Sequence, residues 1–103
     1  MSRDTVVKIL GGGALAFGVL GVVDPPRLAR MMGADDETAR EVGFRDVGNG
    51  LLLLASPDPR PAIAQRALYD VADAVMFGRR KPGVAAGALG FAALALYGLF
   101  AAD

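Results

Sequence analysis

Two apolar stretches of this 103-residue chain contain charged side chains. They are EVGFRDVGNGLLLLASP, residues 41–57, and QRALYDVADAVMFG, residues 65–78, and each places carboxylates beside a guanidinium group. Carboxylates held close to arginine can exchange protons with a bound molecule, while the arginine polarises an oxygen atom. These residue types therefore predict acid–base catalysis or ligand binding. The candidate catalytic residues are Arg45, Asp46, Asp70 and Asp73, and the candidate ligand-binding residues are Asn49, Tyr69, Glu41 and Arg66.

Missing residue types exclude several kinds of site. The chain has no cysteine and no histidine, so disulfides, thiolate chemistry, the commonest general base and the commonest transition-metal ligand are excluded. The serines, Ser2 and Ser56, lie at the N-terminus and in a turn, which excludes a buried serine nucleophile. We expect no metal and no cofactor. The formal net charge is zero and no basic block is present, which excludes nucleic-acid binding.

The composition is too apolar for an ordinary soluble domain. Apolar residues make up 53% of the sequence before its 14 glycines are counted, whereas soluble domains have roughly 45–50% with glycine included. The uncharged segment 83–102 is long enough, at ~1.5 Å per residue, to cross a bilayer core of ~30 Å. Residues 5–23 form a second, nearly uncharged segment with Lys8 near its start, which predicts a helix over 4–23. A cleaved signal peptide is the alternative for this segment, but it ends without a small-x-small cleavage site.

Proline and glycine mark the helix ends. DPPRLARMMG ends the first helix at two prolines and predicts a short amphipathic helix at the membrane interface. A capping box of Thr38 and Glu41 predicts the start of a second long helix, 38–55, and SPDPRP predicts a tight turn into a third, 61–78. The predicted fold is all-α: one domain, residues 1–103, in which a four-transmembrane-helix bundle carries a short interfacial helix between its first two helices. A soluble four-helix bundle is the alternative, but the fourth helix has no polar face for water.

The charged residues of the second and third long helices form one polar stripe on each helix. Arg45 lies near the membrane midplane, where a lone charge costs about 2.5–3.5 kcal/mol, so the two stripes must face each other. We expect Arg45 to lie between Asp70 and Asp73, and Arg66 to anchor a helix end. Acids outnumber bases in this cluster, which predicts that one or two carboxyls keep their protons or that a cation is bound. A salt-bridge cluster that only fixes the helix register is the structural alternative.

The segments DPPRLARMMG, GFRDVGNGLLLL and YDVADAV, together with an apolar first and an apolar fourth helix, resemble a family of small bacterial four-helix membrane proteins. That family is classed as a domain of unknown function, and the chain is more loosely similar to DoxX-type membrane proteins. The resemblance covers nearly the whole chain and implies the four-helix membrane fold. For DoxX-type proteins it also implies a link to quinone chemistry. Its specific positions are Arg45, Asp46, Gly50, Asp73 and Ala74.

Three functions are compatible with these residues. The first is a site for a lipophilic small molecule or quinone, which is bound or converted by acid–base chemistry between the second and third helices. The second is proton or ion transport, which requires a homo-oligomer because one bundle of this size is small for a pathway. The third is an accessory subunit that docks on a membrane-complex partner through its glycine-rich helices. In each case we expect a multi-pass protein of the cell (inner) membrane, surrounded by membrane lipid.

Overall fold

The computed structural model describes residues 1–101, which contain five α-helices and no β-strand. The helices are α1 (Arg3–Val23), α2 (Pro25–Met32), α3 (Asp36–Ala55), α4 (Arg60–Phe77) and α5 (Pro82–Phe100). The predicted all-α class is confirmed, and residue 102, the predicted end of the last helix, lies outside the described residues. Within those residues, α1 and α5 alone are long and apolar enough to cross a membrane, so the structure shows two candidate spans.

α3 begins two residues earlier than predicted because an aspartate caps it. The carboxylate of Asp35 accepts a hydrogen bond from the backbone N–H of Thr38 at 2.7 Å. Hydrogen bonds from Thr38, chiefly from this N–H, hold the pKa of Asp35 below its usual range. Asp36 and Glu37 fill the first turn, where the helix dipole favours negative charge. The predicted cap by Thr38 and Glu41 is therefore wrong. In that cap the Glu41 side chain would accept a hydrogen bond from the backbone N–H of Thr38, which already donates to Asp35.

The short helix α2 connects α1 to α3. Asp24 ends α1 and caps α2, where its side chain accepts a hydrogen bond from the backbone N–H of Arg27 at 3.4 Å. Two prolines follow at the first positions of α2, where their missing N–H groups would be unpaired in any case. The helix ends at Gly33, whose φ of 68° lies in the left-handed region that glycine adopts without steric cost. Leu28 and Met32 are buried in an apolar cluster that also contains Val42 of α3 and Phe77 of α4.

Close glycine contacts join α1 to α3. A Cβ atom added at Gly18 would lie 2.6 Å from the backbone nitrogen of Val47, and one added at Gly21 would lie 2.7 Å from the carbonyl oxygen of Ala39. Gly43 on α3 faces both of these glycines. Small residues at such crossings let helix backbones approach each other, which is how helices associate in lipid. α4 packs mainly along α5, so the bundle consists of two helix pairs.

Gly18→Leu is expected to destabilise the folded chain by at least the ~1–3 kcal/mol typical of an overpacked core, because the atoms it meets belong to the backbone of α3. Gly12→Leu is the matched control on the same helix, since a Cβ atom there has no neighbour within 4 Å. Unfolding in mild detergent, followed by helical circular dichroism, measures both variants. Equal stability of the two would contradict the close contact between α1 and α3.

Two apolar clusters close the ends of the bundle and leave its middle polar. One cluster contains Leu53 of α3 and Ile63 of α4, and the other contains Val42 of α3 and Phe77 of α4. On α3 and on α4, the buried charged residues lie in sequence between the members of these two clusters. The fold therefore holds its charged side chains at mid-length, between two apolar layers.

Candidate functional site

Arg45 on α3 binds Asp73 on α4 in a two-pronged ion pair. The Arg45 Nη1 to Asp73 Oδ1 distance is 2.9 Å, and the Nη2 to Oδ2 distance is 2.8 Å. Arg45 Nε also donates to Asp46 Oδ1 at 3.0 Å. Paired N–H···O bonds of this kind are stronger and more directional than single ones. The expectation that Arg45 lies between Asp70 and Asp73 is wrong for Asp70, because a second arginine binds that residue.

This second arginine is Arg66, which is only 5% exposed. Its Nη1 donates to Asp46 Oδ1 at 3.1 Å, and its Nη2 lies 3.0 Å from Asp70 Oδ1. The expectation that Arg66 anchors a helix end is therefore wrong. Its side chain runs along α4 to the carboxylate one turn later and also reaches across to α3. Asp46 accepts hydrogen bonds from Arg45 and Arg66, so the four pairs form one network across the two helices.

Tyr69 and Asn49 flank this network. The Cζ atom of Arg45 lies 4.5 Å from the centre of the Tyr69 ring, and that of Arg66 lies 5.5 Å from it, both within cation–π range. The amide nitrogen of Asn49 donates to Gln65 Oε1 at 2.9 Å and to a backbone carbonyl of α4. Both residues thus contact the network or the helix that carries it.

Gln65 was not predicted as a site residue, although it contacts Asn49. Glu41 was predicted as one, but it lies away from the site. Gln65 precedes Tyr69 by one helical turn, and this spacing places it on the same side of α4 as Tyr69. Glu41 is exposed and lies outside both the ion-pair network and the cavity described below.

Three buried side-chain polar atoms have no hydrogen-bond partner within residues 1–101: Asn49 Oδ1, Arg66 Nε and Asp70 Oδ2. A buried polar atom left unpaired costs about 1–3 kcal/mol, so such atoms mark places where a further group fits. Asp70 is only 6% exposed. Its Oδ1 faces Arg66, which leaves Oδ2 as an acceptor without a donor.

A cavity of about 550 Å³ borders one side of the network. Side chains of α1, α2 and α5 make most of its wall apolar, with Phe17 and Phe91 among them, and Lys81 lies at the start of α5. The buried polar part of the wall consists of Asp46, Arg66, Asp70 and Asp73. The predicted site residues outside the wall are Arg45, Asn49, Tyr69 and Glu41. The structure therefore separates residues that can touch a bound molecule from Arg45, Asn49 and Tyr69, which support the network or its helix, and from Glu41, which does neither.

The cavity has the size of a small-molecule site, for which ~300–1,000 Å³ is typical. Asp70 brings together an unpaired carboxylate oxygen and the cavity wall, so it is placed to accept a hydrogen bond from a bound molecule or to exchange a proton with it. In the described part of the chain, no three acidic side chains are grouped so that they could hold a metal ion.

No protein-family model, curated protein or solved structure matches the chain. A fold alone does not define an activity, so the function has to be inferred from the cavity and the residues that line it.

Proposed function

We propose that the chain is a multi-pass protein of the cell membrane, in which α1, α3, α4 and α5 cross the bilayer and α2 lies at its interface. The distribution of polarity supports this arrangement, because charged groups lie inside the bundle. The buried polar residues are Asp46, Asn49, Arg66, Asp70 and Asp73. Charges of this kind keep α3 and α4 from qualifying as spans by hydropathy, although inside the bundle they do not meet lipid.

The outer surfaces of α3 and α4 carry large apolar side chains. Phe44 is 60% exposed and Leu68 is 71% exposed, and the side chains of Leu51 and Val75 are also exposed. Soluble proteins bury such residues and expose their charges, so this polarity is reversed. The longest dimension of the molecule, 39 Å, is close to the ~40–45 Å of a bilayer with its headgroups. The resemblance to small bacterial four-helix membrane proteins stays a prediction that agrees with this arrangement.

The function that this geometry supports best is the binding of a lipophilic small molecule in the cavity. One observation carries it: the cavity is apolar except where it meets the buried network, and there Asp70 Oδ2 has no partner among the described residues. The apolar wall would hold the body of the molecule, and the carboxylate would hold its polar group. Any acid–base step on the bound molecule would use Asp70, while Arg45 and Asp73 would keep the two helices in register.

Native mass spectrometry of the protein in mild detergent tests this function. The wild-type chain is expected to carry a co-purified small molecule. Gly13→Leu should remove it, because Gly13 lines the cavity and a Cβ atom there points to the ring of Phe91 at 3.9 Å, so a longer side chain fills the space. Gly12→Leu, one residue away and outside the cavity wall, should keep it. A wild-type protein that carries no more bound mass than Gly13→Leu would contradict the proposal.

A second candidate function is that of a subunit in a larger membrane assembly. Ala86, Gly90 and Ala93 form an exposed line of small residues on α5, and a Cβ atom at Gly90 has no neighbour within 4 Å. In lipid, such a line lets another helix approach closely. The same mass spectra distinguish this function, because a protein partner or a second copy of the chain adds a mass far larger than that of a small molecule.

A further inference from the structure

We propose that the cavity binds a lipophilic amine, a molecule with one ammonium group and an apolar body. This inference rests on the proposed function, because it names the kind of molecule that occupies the same cavity. It follows from the charge of the network, from the position of the unpaired oxygen and from the character of the remaining wall.

The buried network carries more negative than positive charge. Its acids are Asp46, Asp70 and Asp73, and its bases are Arg45 and Arg66. With each group in its ordinary ionisation state, the network has one net negative charge. Such a charge is costly away from water unless an opposite charge lies beside it. A ligand with a single positive charge would make the network neutral.

Asp70 is the carboxylate of the network with the fewest contacts to arginine. Both carboxylate oxygens of Asp73 are bound by Arg45, and Asp46 contacts two guanidinium groups. Asp70 contacts only Arg66, through Oδ1, and its Oδ2 has no partner in the described chain. Asp70 also lines the cavity. Of the two unpaired acceptors, Asn49 Oδ1 and Asp70 Oδ2, only the second belongs to a residue of the cavity wall.

An organic ammonium group fits this acceptor better than an inorganic cation does. Metal ions such as Ca²⁺ require six or more oxygen ligands, and the cavity offers Asp70 among mainly apolar side chains. A primary ammonium group has three N–H donors and no required coordination geometry. A single carboxylate can hold it, because charge-assisted hydrogen bonds are about twice as strong as neutral ones. The apolar wall, with Phe17 and Phe91, would cover an alkyl or aromatic body.

Three probes with the same ten-carbon chain test the charge preference: decylamine, decanol and decanoate. Each is titrated against the purified protein in the same detergent, and occupancy is measured by native mass spectrometry. Binding that survives in Gly13→Leu is subtracted as binding outside the cavity. Decylamine is expected to bind roughly tenfold more tightly than decanol, a difference of about 1.4 kcal/mol, and decanoate should show no cavity binding. The decanoate arm also reports whether Lys81 can recruit an anion.

Asp70→Asn keeps the shape of the side chain and removes its charge. It should lower decylamine binding to the level of decanol, whereas Asp58→Asn, which changes an exposed carboxylate between α3 and α4, should leave it unchanged. If Asp70→Asn does not fold, the ranking of the three probes on the wild-type chain still shows whether the cavity prefers a cationic ligand. Decanol or decanoate binding as tightly as decylamine would overturn the amine and leave the cavity function standing. Absence of cavity binding by all three probes would also overturn the proposal of amine binding. The co-purified mass in the wild-type spectrum then tests separately whether the cavity binds a small molecule.

Discussion

Arg66→Met is expected to destabilise the folded chain by about 3–5 kcal/mol, the usual cost of removing one partner from a buried ion pair. Arg66 is 5% exposed and donates to Asp46 while it contacts Asp70. Methionine has a similar length and no charge, so the variant leaves Asp70 without its arginine. The network then holds one guanidinium group against three carboxylates, and its net charge changes from −1 to −2.

Two further variants show whether this cost comes from charge. Arg66→Met combined with Asp70→Asn returns the network to a net charge of −1, so the double variant should recover a large part of the lost stability. Lys8→Met removes an exposed partner of Asp4, both side chains being more than two-thirds accessible, and such pairs contribute only ~0–1 kcal/mol. Unfolding by sodium dodecyl sulfate, measured from mild detergent, compares the four proteins. A loss in Arg66→Met no larger than that in Lys8→Met would contradict the buried network.

The helices and their inward charges could be predicted from the sequence for identifiable reasons. Prolines 25 and 26 stop α1, and prolines 57 and 59 separate α3 from α4, so the number of long helices follows from local chemistry. The spacing of Arg45, Asp46 and Asn49 on α3 defined a stripe, and its depth required that the stripe face α4. The pairing of Arg45 with Asp73 followed from this register.

The pairing of Arg66 could not be predicted from a helical wheel. A wheel gives the direction of each residue from the helix axis, but a long arginine side chain can extend along its own helix or across to another. Arg66 does both, since it reaches Asp70 on α4 and Asp46 on α3. The choice depends on the separation of α3 and α4, which is a property of the packed bundle.

The cavity depends on packing of the same kind. α1 lies along α3 and α4 lies along α5, while α1 and α5 make fewer contacts, so space is left between the two helix pairs. The sequence shows glycines on both α1 and α5. It does not distinguish Gly18, which meets backbone atoms of α3, from Gly13, which faces open space beside Phe91. The candidate residues could therefore be found from sequence, but their division into residues of the cavity wall and residues that support the wall could not.

Cysteine labelling gives the largest expected contrast, because the chain has no cysteine and each introduced thiol would be the only one. Phe44 and Leu68 lie near the middle of α3 and α4 with side chains that are 60% and 71% exposed. If both helices cross the bilayer, Phe44→Cys and Leu68→Cys face lipid, where a charged, membrane-impermeant maleimide does not reach. Pro57→Cys is the matched control, since Pro57 is exposed in the turn that joins the two helices.

The measurement is the fraction of each thiol labelled in intact vesicles of both orientations, relative to the fraction labelled after denaturation in sodium dodecyl sulfate. Pro57→Cys is expected to react in one orientation, while Phe44→Cys and Leu68→Cys are expected to stay unlabelled in both. Labelling of Phe44→Cys and Leu68→Cys as complete as that of Pro57→Cys would place α3 and α4 in water, and would contradict the claim that these helices cross the membrane with their charges turned inward.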